Sequence, residues 1–209
     1  MIGIILSSRG LIFAEVENAI ENARRFNNIT VYRSWNLPIP DAQNYLSEQA
    51  LKDREVTDLW FIEEDTIPPD GALEKLKDAN ADIACIDYSV NQYGCVARDK
   101  KTNEILWCGF GCTLVKREVF EKLEKPWFRT DKTLRLNDWQ WIDNSAKYGG
   151  QDIWFGCKAR EAGFKIQQVE GECKHLSLVA LGQKGYNDGC HLIMIKPKIQ
   201  KRQYIEKGG

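Results

Sequence analysis

The sequence has no apolar run long enough to cross a bilayer. Its apolar stretches fall short of the roughly 20 residues that a membrane-spanning helix needs. The N-terminal MIGIILSS has no preceding basic region and is too short for the core of a signal peptide. A net charge of -1, from 29 basic and 30 acidic residues, leaves no general attraction to nucleic acid or to anionic membranes. We therefore expect a soluble, cytoplasmic protein.

Common metal and nucleotide motifs are missing too. The seven cysteines are odd in number and lack C-x-x-C spacing, so we expect reduced, mostly buried thiols and no disulfide framework. A zinc site made of Cys108, Cys112, Cys173 and His175 is a weak alternative, because their spacing is not that of a zinc knuckle. The P-loop sequence G-x-x-x-x-G-K-[ST] is absent, which disfavours an ordinary P-loop enzyme.

What the chain does have is an alternating pattern of strands and helices. Its 209 residues suit one α/β domain with an ample core. Apolar runs at 2–6, 29–32, 59–62 and 83–86 alternate with segments of helical periodicity. Because parallel strands need crossover helices, this order predicts a mostly parallel, Rossmann-like sheet flanked by helices.

The pattern is less regular beyond residue 86. We predict one domain over 1–176, with a small irregular region in its second half, about 87–176. Residues 177–209 are predicted to form a C-terminal loop and a solvated basic tail. A less favoured role for Lys196, Lys198, Lys201 and Arg202 in this tail is to guide an anionic partner.

The most informative segment is DLWFIEEDTIPPD at 58–70. An apolar, strand-like run ends there in Glu63, Glu64 and Asp65. Carboxylates at the carboxyl end of a strand lie where open α/β sheets bind ligands. Hard oxygen ligands suit Mg²⁺ or Mn²⁺, which in turn hold phosphate oxygens. The sequence thus favours a metal-bound diphosphate, while a plain turn before Pro68, with the glutamates facing water, stays an open alternative.

Several motifs in order resemble those of inverting glycosyltransferases with a GT-A fold related to family 2. Their order and spacing carry the resemblance, which covers roughly residues 2–176, most of the chain. It implies a nucleotide-sugar half at about 1–86 and an acceptor half at about 87–176. The motifs are SSRG at 7–10, PIPDAQN at 38–44, WFIEEDTIPP at 60–69, WCGFGCTLVKREVF at 107–120, GGQDIWFGCKAREAGFKI at 149–166 and CKH at 173–175.

The resemblance implies that a sugar is transferred from a nucleotide-sugar to a hydroxyl acceptor by direct displacement. The donor is a UDP-sugar, with a GDP-sugar less favoured; the acceptor is a glycan, lipid-linked or other hydroxyl, with nucleic acid less favoured. The D-x-D motif of the family falls on Glu63 and Asp65. Asp65 is the expected ligand of Mn²⁺ or Mg²⁺, and His175 is expected to complete the metal shell. Glutamate at the first position departs from the family, so Glu63 acts directly, acts through water or contacts the ribose.

Asp152 matches the second acid of an E-D motif, the general base that removes a proton from the acceptor hydroxyl. Gln151 stands where the family has the first acid, which leaves Asp152 the one carboxylate of the pair. The alternative role for Asp152 is the N-cap of the following helix.

The resemblance also assigns the remaining contacts. The expected nucleotide-binding residues are Ser7, Ser8, Arg9, Asn44 and Glu64. Sugar or acceptor contacts are expected from Trp107, Gly109, Phe110, Gly111 and Gln151. Trp139, Trp141 and Trp154 are candidates for the wall of an acceptor cleft, although core packing competes for such residues.

Two other classes of function stay open. One is a catalytically silent module of the same fold that binds a nucleotide-sugar or glycan, because Glu63 and Gln151 replace the usual acids. The other is a metal-dependent phosphohydrolase or nucleotidyltransferase, because paired carboxylates at strand ends also serve phosphoryl chemistry.

Overall fold

A computed structural model describes residues 1–90, 92–146, 149–181, 190–195 and 198–206. Strands and helices alternate in its first part. In chain order they are β1 Ile2–Ser8, α1 Ala14–Arg24, β2 Ile29–Trp35, α2 Ile39–Lys52, β3 Asp58–Glu63, β4 Thr66–Ile67, α3 Ala72–Asp78 and β5 Ile83–Val90.

Short strands dominate the rest of the described chain. The elements are β6 Tyr93–Asp99, β7 Ile105–Trp107, β8 Cys112–Lys116, α4 Arg117–Lys122, β9 Lys132–Arg135, β10 Gln140–Asp143, α5 Gln151–Glu161, β11 Ile166–Leu181, β12 Cys190–Ile195 and β13 Lys201–Ile205. Residues 182–189, part of the predicted C-terminal loop, lie outside the described residues.

The main sheet is mixed, with the order β12-β11-β5-β8-β3-β1-β2 along its principal path. β1 runs parallel to β2 and β3, and β11 runs parallel to β5. Strand β8 lies between β3 and β5 and is antiparallel to both. Among the described strands, antiparallel pairings outnumber parallel ones. The expectation of a mostly parallel, Rossmann-like GT-A sheet is therefore wrong.

The reason for this mixed sheet lies in the connections after β5. Between β5 and β8 the described chain contains β6 and β7 and no helix. β6 folds back on β5 as a hairpin in which Val90 pairs with Tyr93. Parallel neighbours need a long crossover connection, usually a helix, whereas antiparallel neighbours do not. The absence of a helix in this stretch therefore agrees with the reversed direction of β8.

An aromatic core fixes helix α5 relative to strand β3. Phe155 of α5 stacks on Phe128, with ring centroids 4.9 Å apart. Phe128 lies 5.5 Å from Phe61 of β3, and Phe110 packs edge-on against both Phe61 and Phe128. All four rings are almost fully buried. Because interiors are closely packed, this cluster holds the first turn of α5 at a defined distance from the end of β3.

The described parts of the C-terminal segment contain strands that the sequence did not predict. Where we expected a solvated tail, β13 pairs in parallel with β6, and Lys100 bonds to Glu206. Strand β11 runs across residue 176, where we predicted the domain to end. No helix in the described part of the chain is long and apolar enough to span a membrane.

Candidate functional site

Three side chains with metal-binding atoms converge at the end of β3. The ligand atoms of Glu63, Asp65 and His175 lie within 4.8 Å of one another. β4 pairs with β11 so that Thr66 is opposite His175, and the Leu176 amide donates to the Asp65 carbonyl at 2.7 Å. This antiparallel pairing brings a distant histidine beside the acids that follow the strand.

A hydrogen bond at Nδ1 of His175 fixes the ring tautomer that can bind a metal ion through Nε2. Its Nδ1 lies 2.7 Å from the Ser89 carbonyl oxygen, which can only accept, so Nδ1 carries the proton. In the neutral imidazole the lone pair of Nε2 then faces Asp65 Oδ1, 3.5 Å away. A carbonyl that fixes the tautomer in this way is typical of metal-binding histidines. The donor set fits a divalent cation of unspecified identity.

A buried carboxylate next to this cluster organises the turn after β1. Glu64 is 6% exposed; its Oε2 accepts from Ser8 Oγ at 2.6 Å and from the Arg9 amide at 2.7 Å. Its Oε1 pairs with Arg9 Nε. Glu64 and Ser8, expected to bind nucleotide, therefore make internal bonds that hold Arg9.

Arg9 projects from that anchor towards the metal-binding cluster. Its side chain is 65% exposed, and Nη2 lies 3.3 Å from Asp65 Oδ2. The ion pair between Nε and Glu64 fixes one side of the guanidinium, while most of the Arg9 side chain stays accessible to solvent. Arg9 is therefore placed to contact an anion bound beside Asp65.

Asp152 is the second residue of α5, and the helix begins directly after two glycines with left-handed backbone. Gly149 and Gly150 have φ values of 71° and 83°, which favour glycine. The N-cap is Gly150, so the alternative that Asp152 serves as N-cap is wrong. Burial raises the pKa of Asp152 from 3.8 to about 6. Such a value suits a group that exchanges protons near neutral pH.

One cavity of about 340 Å³ joins these groups. Its lining includes Ser7, Ser8, Arg9, Glu63, Glu64, Asp65, Gln151, Asp152 and His175, all of them predicted site residues. Carboxylates outnumber the Arg9 guanidinium among the described lining residues, so the cavity favours a cation. The metal-binding cluster and Asp152, which are far apart in sequence, reach the same small space.

The aromatic loop predicted to contact sugar lies elsewhere. Trp107 and Phe110 are 5% and 2% exposed and belong to the two hydrophobic clusters. A Cβ on Gly156 would lie 2.6 Å from the Trp107 Cβ, so helix α5 packs directly on this residue. The sugar-stacking role expected for Trp107, and the sugar contact expected for Phe110, do not agree with these positions.

Gly109 and Gly111 make room for a buried tyrosine. An added Cβ would lie 2.3 Å from the Tyr88 hydroxyl at Gly109 and 2.8 Å from its ring at Gly111. The Gly111 carbonyl also accepts from the Glu63 amide. These glycines thus support the cavity from behind, and the sugar contacts expected from them do not agree with this packing.

Asn44 has a structural position. Its amide nitrogen donates to the Phe128 carbonyl at 2.9 Å, and its oxygen accepts from the Phe128 amide at 3.1 Å. These bonds tie helix α2 to the aromatic core. The nucleotide contact expected from Asn44 does not agree with this arrangement.

The predicted tryptophan wall does not line the cavity. Trp154 contacts Trp141 and lies beneath Arg129, and Trp139 packs near Trp107. Cys108, Cys112 and Cys173 are buried free thiols. Within the described ranges, no cysteine belongs to a metal-ligand cluster, which leaves the zinc alternative without support.

Sequence reasoning missed two polar residues of the cavity, Gln43 and Tyr88. Burial raises the pKa of Tyr88 well above its ordinary value, and the nearby carboxylates of Glu63 and Asp152 add to this effect. Gln43 directly precedes Asn44 in helix α2. Gln43 shares the buried face of the helix with Ala42 and Leu46. A glutamine on such a face needs a polar partner, and this pattern could have identified it as a site residue.

Comparison with known proteins adds a fold and no activity. No family model matches the chain, and no curated protein matches it. Among solved structures the chain is similar to A197 from STIV, with 16% sequence identity, a TM-score of 0.58 and coverage of 85% of either chain. A likeness at this level of identity shows a shared fold alone.

Proposed function

We propose that this protein is a metal-dependent inverting glycosyltransferase that uses a UDP-sugar and a hydroxyl acceptor. One observation carries the proposal: a metal-binding cluster and a carboxyl group with a pKa of about 6 line the same cavity. The order of motifs that resembles family 2 glycosyltransferases supports the same reaction.

The donor set supports binding of a diphosphate through a cation. Glu63, Asp65 and His175 would hold Mn²⁺ or Mg²⁺, which suit oxygen and imidazole ligands. When bound, such an ion neutralises the charge that develops on a departing diphosphate. Arg9 contributes a second positive charge at the same edge, and its planar guanidinium suits phosphate oxygens.

Asp152 supplies the proton acceptor for the displacement. The acceptor oxygen forms a bond to the anomeric carbon while the bond from that carbon to the diphosphate oxygen breaks and its electron pair leaves with the diphosphate. The proton of the acceptor hydroxyl passes to the Asp152 carboxylate. With a pKa of about 6, Asp152 is mostly ionised at pH 7 yet more basic than an ordinary aspartate.

The test is to incubate the protein with UDP-sugars, Mn²⁺ and a panel of acceptors and to identify the products by mass spectrometry. We expect an intact sugar joined to an acceptor, with inverted anomeric configuration by NMR, and loss of the reaction in EDTA. Recovery of sugar phosphate instead would favour phosphoryl chemistry. Binding of UDP-sugar without turnover on any acceptor would favour a silent module.

Asp65→Ala gives a direct test of the metal site. Calorimetry should show Mn²⁺-dependent UDP binding by the wild-type chain and a loss of that dependence in the variant. Asp78→Asn, an exposed helix position, is a matched control. If UDP binds Asp65→Ala as tightly as wild type in Mn²⁺, the metal assignment is wrong.

A further inference from the structure

Gln43 is a buried polar residue of the cavity whose side-chain oxygen accepts no hydrogen bond from the described part of the chain. It is 2% exposed and lies on α2 between Ala42 and Leu46. Its Oε1 has no hydrogen-bond partner among the residues that the structure describes. Burying such an oxygen without a partner costs free energy. Gln43 also lines the cavity, and a lining residue whose buried oxygen has no partner in the described chain suggests an absent ligand.

Neighbouring polar residues do not share this combination. Ser34 and Ser47 also have buried hydroxyls without partners in the described chain, but neither lines the cavity. Asn44 bonds to Phe128, and Gln49 accepts from Lys52 at 3.1 Å. On helix α2, Gln43 is thus the residue that lines the cavity and also has a buried oxygen without a partner among the described residues.

The position of Gln43 suits one end of an extended ligand. Helix α2 packs against β1 and β2, whereas Glu63 and Asp65 follow β3, the neighbour of β1 on its other side. Adjacent strands lie about 4.8 Å apart, so a ligand that reaches from Gln43 to the metal-binding cluster crosses one to two strands. The apolar Leu37 and Ile39 line the cavity with Gln43, as a flat heterocycle would require.

We propose that the carboxamide of Gln43 binds the uracil base of the nucleotide donor and sets the specificity for it. Oε1 accepts from the ring N3–H of uracil and Nε2 donates to the adjacent carbonyl oxygen, an amide-to-imide pairing that satisfies both partners. Leu37 and Ile39 cover the faces of the ring. This inference rests on the proposed function, since it assigns the base of the same donor.

The test compares UDP with inorganic pyrophosphate, both titrated in Mn²⁺ by calorimetry. Gln43→Met keeps the length of the side chain and removes the amide, and Gln49→Met is the control on the same helix. We expect Gln43→Met to lose tenfold or more in UDP affinity, with pyrophosphate binding unchanged. We expect Gln49→Met to match wild type for both ligands. The ligand-free Gln43→Met variant should melt no lower than wild type, because its buried oxygen without a partner is gone.

A second measurement needs no variant. 3-Methyl-UDP lacks the N3–H, and we expect the wild-type chain to bind it at least tenfold more weakly than UDP. Equal affinity for UDP and 3-methyl-UDP, or equal UDP affinity in Gln43→Met and wild type, overturns the base contact and leaves the glycosyltransferase proposal standing. Tighter binding of GDP than of UDP overturns the uracil assignment. A wild-type chain that binds neither UDP nor pyrophosphate in Mn²⁺ overturns the proposed function and this inference together.

Discussion

The end of β3 and the loop at 107–111 are neighbours in the fold with opposite surroundings. Glu63 and Asp65 reach a cavity, whereas Trp107 and Phe110 are enclosed by side chains. The two regions touch, because the Gly111 carbonyl accepts from the Glu63 amide. One region thus presents charge to a ligand, and the other supplies the rigid support that holds this charge in place.

The strongest effect on activity is expected from a change in a residue that lines the cavity, Asp152. Asp152→Asn should lower sugar transfer by about 10³-fold, because general bases contribute roughly 10²–10⁴-fold. UDP affinity should change little, since the base faces the acceptor and not the diphosphate. Steady-state kinetics and calorimetry check the two halves of this prediction, with Asp78→Asn as the matched surface control. Turnover at the wild-type rate would remove Asp152 from the mechanism.

In the supporting loop at 107–111, Gly109→Ala should lower the free energy of unfolding more than a glycine substitution beside the cavity does. The new methyl group would lie 2.3 Å from the Tyr88 hydroxyl, and overpacking of this kind costs about 3 kcal/mol. Gly149→Ala is the comparison from the cavity side, where an added Cβ meets no atom of the described chain within 4 Å. Its cost of about 1 kcal/mol comes from the left-handed backbone alone. Urea unfolding measures both, and equal losses would contradict the packing role of Gly109.

Local sequence patterns predicted the structural features that depend on residues close together in the chain. The apolar runs became β1, β2, β3 and β5, because buried strands of a sheet are nearly continuous in apolar residues. The acids after β3 reached the cavity because strand ends point there. The antiparallel direction of β8 was missed, since it depends on long-range pairing.

The aromatic loop shows why the rest was harder to predict. Glycine and aromatic residues at 107–111 are equally compatible with a ligand site and with close packing, and the sequence does not indicate that Tyr88 occupies the adjoining space. Similarly, the pairing of Thr66 with His175 joins segments far apart in the chain. Residue types identified the candidates, and tertiary contacts decided which of them reach the site.

A smaller contrast separates two adjacent residues of α2. Asn44→Ala should lower the free energy of unfolding by about 2 kcal/mol, because two hydrogen bonds to the Phe128 backbone are lost and their partners stay partly buried. Gln43→Met should cost nothing in the ligand-free protein. Chemical denaturation of the two variants side by side checks the division, which fails if Gln43→Met is the more destabilised.

The weakest effect that we predict is on folding stability, which the raised pKa of Asp152 lowers. Its pKa is about 6 in the folded chain against 3.8 ordinarily, so the folded state holds this proton more tightly than the unfolded state. The resulting penalty is absent below about pH 4, grows as the pH rises to about 6, and is constant above it. Because the side chain reaches the cavity, we discount the penalty to about 1 kcal/mol.

Asp152→Asn removes this titration and turns the argument into a measurement. The variant should be more stable than wild type by about 1 kcal/mol at pH 7.5, and the two proteins should be equally stable at pH 4. Urea unfolding at both pH values gives the comparison. A variant that is less stable than wild type at pH 7.5 would mean that Asp152 stabilises the fold, which would place it with the supporting region and not with the chemical one.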